Sequence, residues 1–462
     1  MKLYAETNEY KLFRGSMLDM LDVIQPKSID AIVTDPPYEL NFMNKGWDNS
    51  GIAFRKDTWR KCYEVLKPGG YLLAFGGSRT FHRIAVAIED AGFEIRDTIM
   101  WLYGSGFPKS MNIGLMIDKA EGAESEIIGK KKGAGSQGNT FPLKQEYDGK
   151  TPASARGKKF KGWGTALKPA YEPIIVARKP VENSVVSNVL KYGVGGINID
   201  GCRVGASGGV QKTDIIPDNA SKTTSFGCNG KLIELDAGRF PSNVILTYDE
   251  TDFDEVCGNM PETSNSGGEV SQDDFSKYKG SMMNFSNLKE APSRISTGYI
   301  APSDSGNACR YFYCAKASKK DRDEGLNRFQ EATAGQRTGR KEGSAGISID
   351  AGATGKARNI HPTVKPTELM QYLVRLVSPP GATILDCFNG SGSTGKAVMF
   401  ENKERGANYK YIGIELTDEY LPIAKARIEY AANDFDISEE VKTADGNHVQ
   451  ISLFDEAENA DS

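Results

Sequence analysis

TILDCFNGSGSTGKAVMF, Thr383–Phe400, is the stretch on which the fold turns. Its apolar start reads as a buried strand, its glycine-rich middle as a tight loop, and KAVMFENKE (396–404) as a helix. Gly390-Ser391-Gly392-Ser393-Thr394-Gly395 matches G-x-G-x-x-G, and Glu415 lies 20 residues beyond Gly395, at the end of the next apolar run, YIGIEL (411–416). In such a βαβ unit the glycines let the backbone approach a nucleotide cofactor closely, and the carboxylate accepts from ribose hydroxyls. An NAD-dependent oxidoreductase using the Gly390–Gly395 loop is one reading of this unit.

On the N-terminal side, HPTVKP (361–366) introduces a helix: Pro366 suits its first turn, and Leu369, Leu373, Leu376 and Val377 give it an apolar face. SPPG (378–381) ends it. A further helix follows from Glu419 to about residue 432. The acidic stretch 436–462 is poor in core residues and is expected to be disordered.

The second decisive stretch is SIDAIVTDPPYELNF, Ser28–Phe42, an apolar strand that stops at Asp35-Pro36-Pro37-Tyr38. A rigid turn is one reading. The other is a site for a planar amine. An exocyclic amine of a base is a poor nucleophile, because its lone pair is delocalised into the ring. Asp35 can accept one of its N–H bonds and the Pro36 carbonyl the other, since proline offers an acceptor without a donor. Two prolines stiffen the turn and hold those acceptors in place, while Tyr38 offers a face for stacking. A base must leave its duplex to reach such a pocket. A dehydrogenase has no use for this motif. Asp386, just ahead of the glycine loop, would also repel a pyrophosphate, whereas it suits the ammonium or ribose end of a cationic cofactor. Together the two details move the reading from NAD to S-adenosylmethionine.

Around these stretches, residues 1–102 alternate strands and helices, which predicts a mainly parallel sheet. Lys56–Leu66 reads as a helix, KPGG (67–70) as a turn, Tyr71–Phe75 as a strand, and Phe81, Ile84, Ala85 and Ile88 as a helix face. GKKKGAGSQGNT (129–140) and ARGKKFKGWG (155–164) read either as solvated loop or as a basic segment that touches phosphates. YEPIIVARKP (171–180) returns to a buried strand. Residues 181–355 are rich in Gly, Ser and Asn, with short apolar runs at RFPSNVILTY (239–248) and CRYFYCAKA (309–317).

With 57 Lys plus Arg against 61 Asp plus Glu, net charge decides nothing about partners. Seven scattered cysteines and three histidines leave no metal-ligand spacing, so no metal is expected, and Cys62 and Cys387 read as core. No run approaches membrane-spanning length and the N-terminus has no apolar signal core, so a cytoplasmic chain is expected.

DPPY near the N-terminus, with HPTVKP and D-x-F-x-G-x-G near the C-terminus, resembles the amino-group DNA methyltransferases of the N4/N6 methylase family. The motif order is similar to that of their circularly permuted beta class. GSGFPKS, TALKPAYEPIIVARKP, GINIDG and FYCAKASKK further resemble versions carried by bacteria and their phages, and a restriction–modification setting is expected. The resemblance implies an α/β, Rossmann-like methyltransferase fold, S-adenosylmethionine as cofactor and double-stranded DNA as partner, in a monomer or homodimer. It implies Asp35, Pro36, Pro37 and Tyr38 as the catalytic motif. Asp386, Phe388, Asn389, Gly390 and Gly392 form the cofactor loop, Glu415 takes the ribose, and Thr363 and Lys365 lie at the methionine end. Adenine N6 is the expected target, with cytosine N4 as the alternative. The expected organisation is a catalytic half at 1–120, a basic loop at 121–164, a return to the sheet at 165–180, a target-recognition insert at 181–355 and a cofactor half at 356–435. Two departures stand out. Gly15-Ser16 replaces the family's Gly-Asp, with Asp19 as a candidate substitute, and Cys387 stands where a proline is common.

Overall fold

The computed structural model describes residues 2–40, 46–103, 110–132, 146–204, 238–248, 262–265, 304–307, 312–316, 319–333 and 356–433. In chain order the strands are β1 Lys2–Glu6, β2 Tyr10–Arg14, β3 Ile29–Thr34, β4 Leu66–Phe75, β5 Glu94–Tyr103, β6 Glu126–Lys132, β7 Glu146–Thr151, β8 Tyr171–Arg178, β9 Val244–Tyr248, β10 Glu262–Asn265, β11 Asp304–Asn307, β12 Tyr313–Lys316, β13 Thr383–Asp386 and β14 Lys410–Glu415. Ten of them form one sheet in the order β1-β2-β14-β13-β3-β4-β8-β5-β9-β12, while β6 pairs with β7 and β10 with β11. Its neighbours run parallel except at β1–β2, β4–β8 and β5–β8, so the expected mainly parallel sheet is present with β8 reversed.

Alternating side chains place one core on each face of the sheet. Ala31, Val33, Leu73 and Phe75 pack with Leu369, Leu373, Val398 and Ile428, from helices Thr367–Val377, Ser393–Arg405 and Leu421–Ala432. Ile32, Leu72 and Ala74 pack on the other face with Trp59, Cys62, Ile84 and Ile88, from helices Lys56–Val65 and Phe81–Asp90. The result is a three-layer, Rossmann-like fold in which N- and C-terminal strands meet twice, at β2–β14 and at β3–β13, where Ile384 faces Ala31 and Leu385 faces Ile32.

This register brings the carboxyl ends of β3, β13 and β14 to one edge, the edge where open α/β sheets bind ligands. Being reversed, β8 delivers its start to that same edge: Ile174 pairs with Phe75, leaving Tyr171 and Glu172 beyond it.

Three expectations need correction. KPGG is not a turn between elements but a bulge inside β4: Ile29 faces Leu66 and Ala31 faces Tyr71, so five residues on β4 span two on β3. Gly69, at φ 79°, supplies the left-handed residue. The Gly69 amide donates to the Lys179 carbonyl (3.0 Å) and the Lys179 amide to the Gly70 carbonyl (2.9 Å). Residues 121–164 are not wholly a loop. They hold β6, β7 and the helix Ala155–Lys159, tied together by the fully buried Asp118, which accepts from the amides of Ala153 and Ser154. Residues 181–355 are not wholly separate either, because the two apolar runs singled out there supply β9 and β12 to the main sheet. The expected disordered tail, residues 104–109 of the GSGFPKS stretch and Phe42 of the stretch that carries DPPY lie outside the described residues.

Candidate active site

β3 ends at Thr34, and the proline-stiffened turn carries Asp35 and Tyr38 straight out over the sheet edge. The turn is fastened beyond the motif, where buried Asp48 accepts from the amides of Glu39 (2.9 Å) and Leu40 (3.2 Å). The Tyr38 carbonyl accepts from Thr80 Oγ1 at 2.8 Å.

Asp35 Oδ2 accepts from Lys365 Nζ at 2.6 Å, and Glu172 Oε2 lies 3.6 Å from the same ammonium. Lys365 is 6% exposed and sits 4.9 Å from the Phe75 ring centroid and 5.3 Å from that of Tyr38. Burial would lower its pKa, but the carboxylates of Asp35 and Glu172 outweigh burial and raise it, so it stays a cation. The Tyr38 hydroxyl spends its one proton on Glu172 Oε2 at 2.6 Å, and Tyr103 donates to Oε1 at 3.4 Å. Burial, then the charges of Asp35 and Glu172, push the Tyr38 hydroxyl far above its ordinary pKa. One atom of this cluster stands apart: Asp35 Oδ1 is buried and has no hydrogen-bond partner among the described residues. A buried acceptor without a donor is costly and points to a group supplied from outside.

At the other end of the same edge, Glu415 is 8% exposed and accepts from the amides of Gly390 and Thr417, both at 2.7 Å. Burial lifts its carboxyl to about 7, against the pull of those two amides. Asp386 is 2% exposed, and burial lifts it to about 6, although Thr34 Oγ1 (2.6 Å), Thr394 Oγ1 (2.7 Å) and the Phe388 amide (3.1 Å) donate to it. The glycine loop is braced from behind by Arg427, fully buried, which donates to the Ser391 carbonyl (2.8 Å) and to Ser393 Oγ (3.1 Å). Lys396, also fully buried, pairs with Asp321 (2.6 Å) and Glu324 (2.9 Å).

A cavity of about 1080 Å³ joins the two ends. Asp35, Pro36, Pro37, Tyr38, Thr363, Lys365, Phe388 and Glu415 line it. Asp386, Asn389, Gly390 and Gly392 are not among its lining residues. They form the frame behind the wall. Asn389 accepts from Tyr411 (2.7 Å), while a Cβ on Gly390 would stand 2.9 Å from His361 Nε2 and one on Gly392 3.0 Å from Ala424. Lys365, expected at the methionine end, is placed against Asp35, enclosed by two carboxylates and two rings. Ser16, not Asp19, borders the cavity; Asp19 is exposed on the helix Met17–Leu21. Half-buried His361, its Nδ1 2.8 Å from the Thr363 carbonyl, has its pKa lowered by desolvation to about 3, which makes it a neutral turn residue. Sequence reasoning missed Glu172 and Tyr103. The available signal was a carboxylate next to Pro173 at the start of an otherwise apolar strand. Cys62 and Cys387 are buried as expected, their sulfurs 4.0 Å apart.

Among the described residues no group of three or more His, Cys, Asp or Glu is placed to hold a metal ion, and no helix is long and apolar enough to cross a membrane. The chain is 30% identical over 120 residues to the Type II methyltransferases M2.LlaDCHI of Lactococcus lactis subsp. cremoris and M2.DpnII of Streptococcus pneumoniae. Each match covers 22% of this chain and 44% of that protein, so the chain spans less than half the length of these curated relatives. Among solved structures it is similar to PvuII DNA methyltransferase (cytosine-N4-specific), at TM-score 0.38 and 13% identity over 94% of this chain and 89% of that one. It is also similar to M1.HpyAVI, at TM-score 0.34 and 14% identity over 91% and 98%. A family model for N6/N4 methylases, described as DNA methylase, matches residues 29–426, from β3 to the last helix, and the chain belongs to that family, whose methyl donor is S-adenosylmethionine.

Proposed function

We propose that the chain transfers a methyl group from S-adenosylmethionine to the exocyclic N6 amine of adenine at specific sites in duplex DNA. Membership of the methylase family removes the oxidoreductase reading of the Gly390–Gly395 loop. The observation that carries the proposal is the orphaned, buried Asp35 Oδ1 beside Tyr38, in one cavity with Glu415.

The residues present fit the cofactor. Glu415 has lone pairs left for ribose hydroxyls after accepting one amide at each oxygen, and Phe388 and Thr363 share its wall. Asp386, Asn389, Gly390 and Gly392 act by fixing the loop's shape. When bound, S-adenosylmethionine supplies an electrophilic methyl on a sulfonium. Asp35 Oδ1 and the Pro36 carbonyl accept the two N–H bonds of the target amine, and Tyr38, anchored by its hydroxyl on Glu172, stacks on the ring. Asp35 and Glu172 against Lys365 leave the cluster one net negative charge, which favours the positive charge that develops on the nitrogen. The excess proton then leaves through Asp35 or to solvent.

The test is Asp35→Ala. Cofactor binding, read by titration calorimetry, should stay within about twofold, while methyl transfer to DNA falls by at least ~10³-fold. Nucleoside mass spectrometry of the wild-type product identifies the base. N6-methyladenine is expected; N4-methylcytosine would replace adenine by cytosine in the same pocket. Normal methylation by Asp35→Ala would sink the assignment.

A further inference from the structure

Residues 161–170 are exposed without interruption, and within them Leu167 is 93% exposed. An apolar side chain in that state is ordinary on a loose loop. This one is not loose. On its N-terminal side the Thr165 and Ala166 amides donate to Ser110 Oγ (3.0 and 3.3 Å), and the Ile113 amide donates to the Trp163 carbonyl (3.0 Å). On its C-terminal side the Tyr103 amide donates to the Ala170 carbonyl at 3.0 Å, and Pro169 stiffens the interval. Leu167 is thus held out into solvent from a backbone fastened on both sides, and it lies on the wall of the cavity that contains Asp35 and Tyr38.

Its surroundings are basic. Lys161 and Lys168 on the same segment, Lys159 at the end of the helix before it, and Arg79 on the cavity wall are exposed and have no ion-pair partner among the described residues. The helix Ala155–Lys159 leads into this arm, and Trp163, 62% exposed, stacks edge-on against Phe160 beside it. Cations around an apolar tip are the chemistry of a wedge that enters a base stack while its flanks hold phosphates.

We propose that Leu167 is that wedge: it enters the duplex where the target base has left and holds the vacated space, with Lys161, Lys168 and Arg79 on the flanking phosphates. The inference rests on the proposed methylation of duplex DNA and adds to it the group that extrudes the base. The energetic job of a wedge is to offset lost stacking and pairing, so it matters only while the target is paired.

The experiment compares the full-length wild type with Leu167→Ala. Modification-sensitive sequencing of DNA from cells making the wild type first gives the recognition site. Two synthetic duplexes carrying that site are then used, one fully paired and one with an abasic position opposite the target. On the paired duplex kcat/KM of Leu167→Ala should fall at least ~10-fold. On the abasic duplex it should return to within about twofold of wild type, because little pairing remains to be broken. Equal activity of variant and wild type on both duplexes overturns the proposal. So does an equal loss on both, which would assign Leu167 to the pocket instead. A wild type that methylates neither duplex removes the function itself, and the wedge with it.

Discussion

Glu415→Gln tests the electrostatics of the cavity directly. The Glu415 carboxyl, ordinarily at 4.5, is lifted by burial to about 7 in the folded chain. Between those values the folded chain keeps a proton that the unfolded chain has released. The contribution of this group to stability is therefore full below pH 4.5, falls as pH rises toward 7, and stays lost above it. Each pH unit in that window costs up to about 1.4 kcal/mol, which integrates to about 2.5 kcal/mol between pH 5 and pH 8. Glutamine does not titrate. Its amide will face either the Gly390 or the Thr417 amide and lose a hydrogen bond, but that cost does not depend on pH. Urea unfolding of both proteins from pH 5 to pH 8 should therefore show wild-type stability falling, relative to the variant, by about 2.5 kcal/mol. Asp386 titrates in both proteins and largely cancels. The same groups govern binding: the ionised fraction of Glu415 rises from about 10% at pH 6 to about 90% at pH 8. The affinity of the wild type for S-adenosylmethionine should rise about tenfold over that range, and that of the variant should not. Stability curves that run parallel within about 0.5 kcal/mol would refute the reasoning.

Glu172→Gln keeps an acceptor for Tyr38 but removes a charge beside Lys365, taking the cluster from one net negative charge to none. The single-turnover methylation rate should drop roughly 10–100-fold with cofactor affinity unchanged; an unaltered rate would deny Glu172 its place. Asp321→Asn strips fully buried Lys396 of one carboxylate and removes the counter-charge 3.7 Å from fully buried Arg427. Burial would raise the Asp321 carboxyl, but Lys396 and Arg427 hold it below its ordinary value. Urea unfolding at pH 7 should show a loss of roughly 3 kcal/mol, near the low end for a broken buried pair because Glu324 remains. A loss under about 1 kcal/mol would mean that the cluster is solvated.

The ends of the chain were readable because each carried a period and a stop. β3 and β13 are apolar runs that end in a carboxylate and a turn motif, and the helices around them repeat their apolar residues at helical spacing. What escaped were partnerships between distant residues. Asp386 combines a local and a remote partner: Thr394 sits on the following helix, but Thr34 is 352 residues away. Glu172 is marked in sequence only by Pro173 beside it, and it gains its role because β8 runs backwards and brings its start to the site. KPGG reads locally as a turn. Only pairing with β3 on one side and β8 on the other makes it a bulge.

The β3–β13 pair also sets a schedule. Thr34 and Asp386 meet across 352 residues, and at a synthesis rate of roughly 5–20 residues per second the ribosome needs about 18–70 s between them. Through that interval β3 has β4 on one side only, and Asp35 lacks the lysine that pins it. The nascent chain therefore carries an open strand edge throughout that interval, a natural handle for chaperones and a hazard without them. It also means that prematurely terminated chains can hold the catalytic turn without the partners that would make it competent.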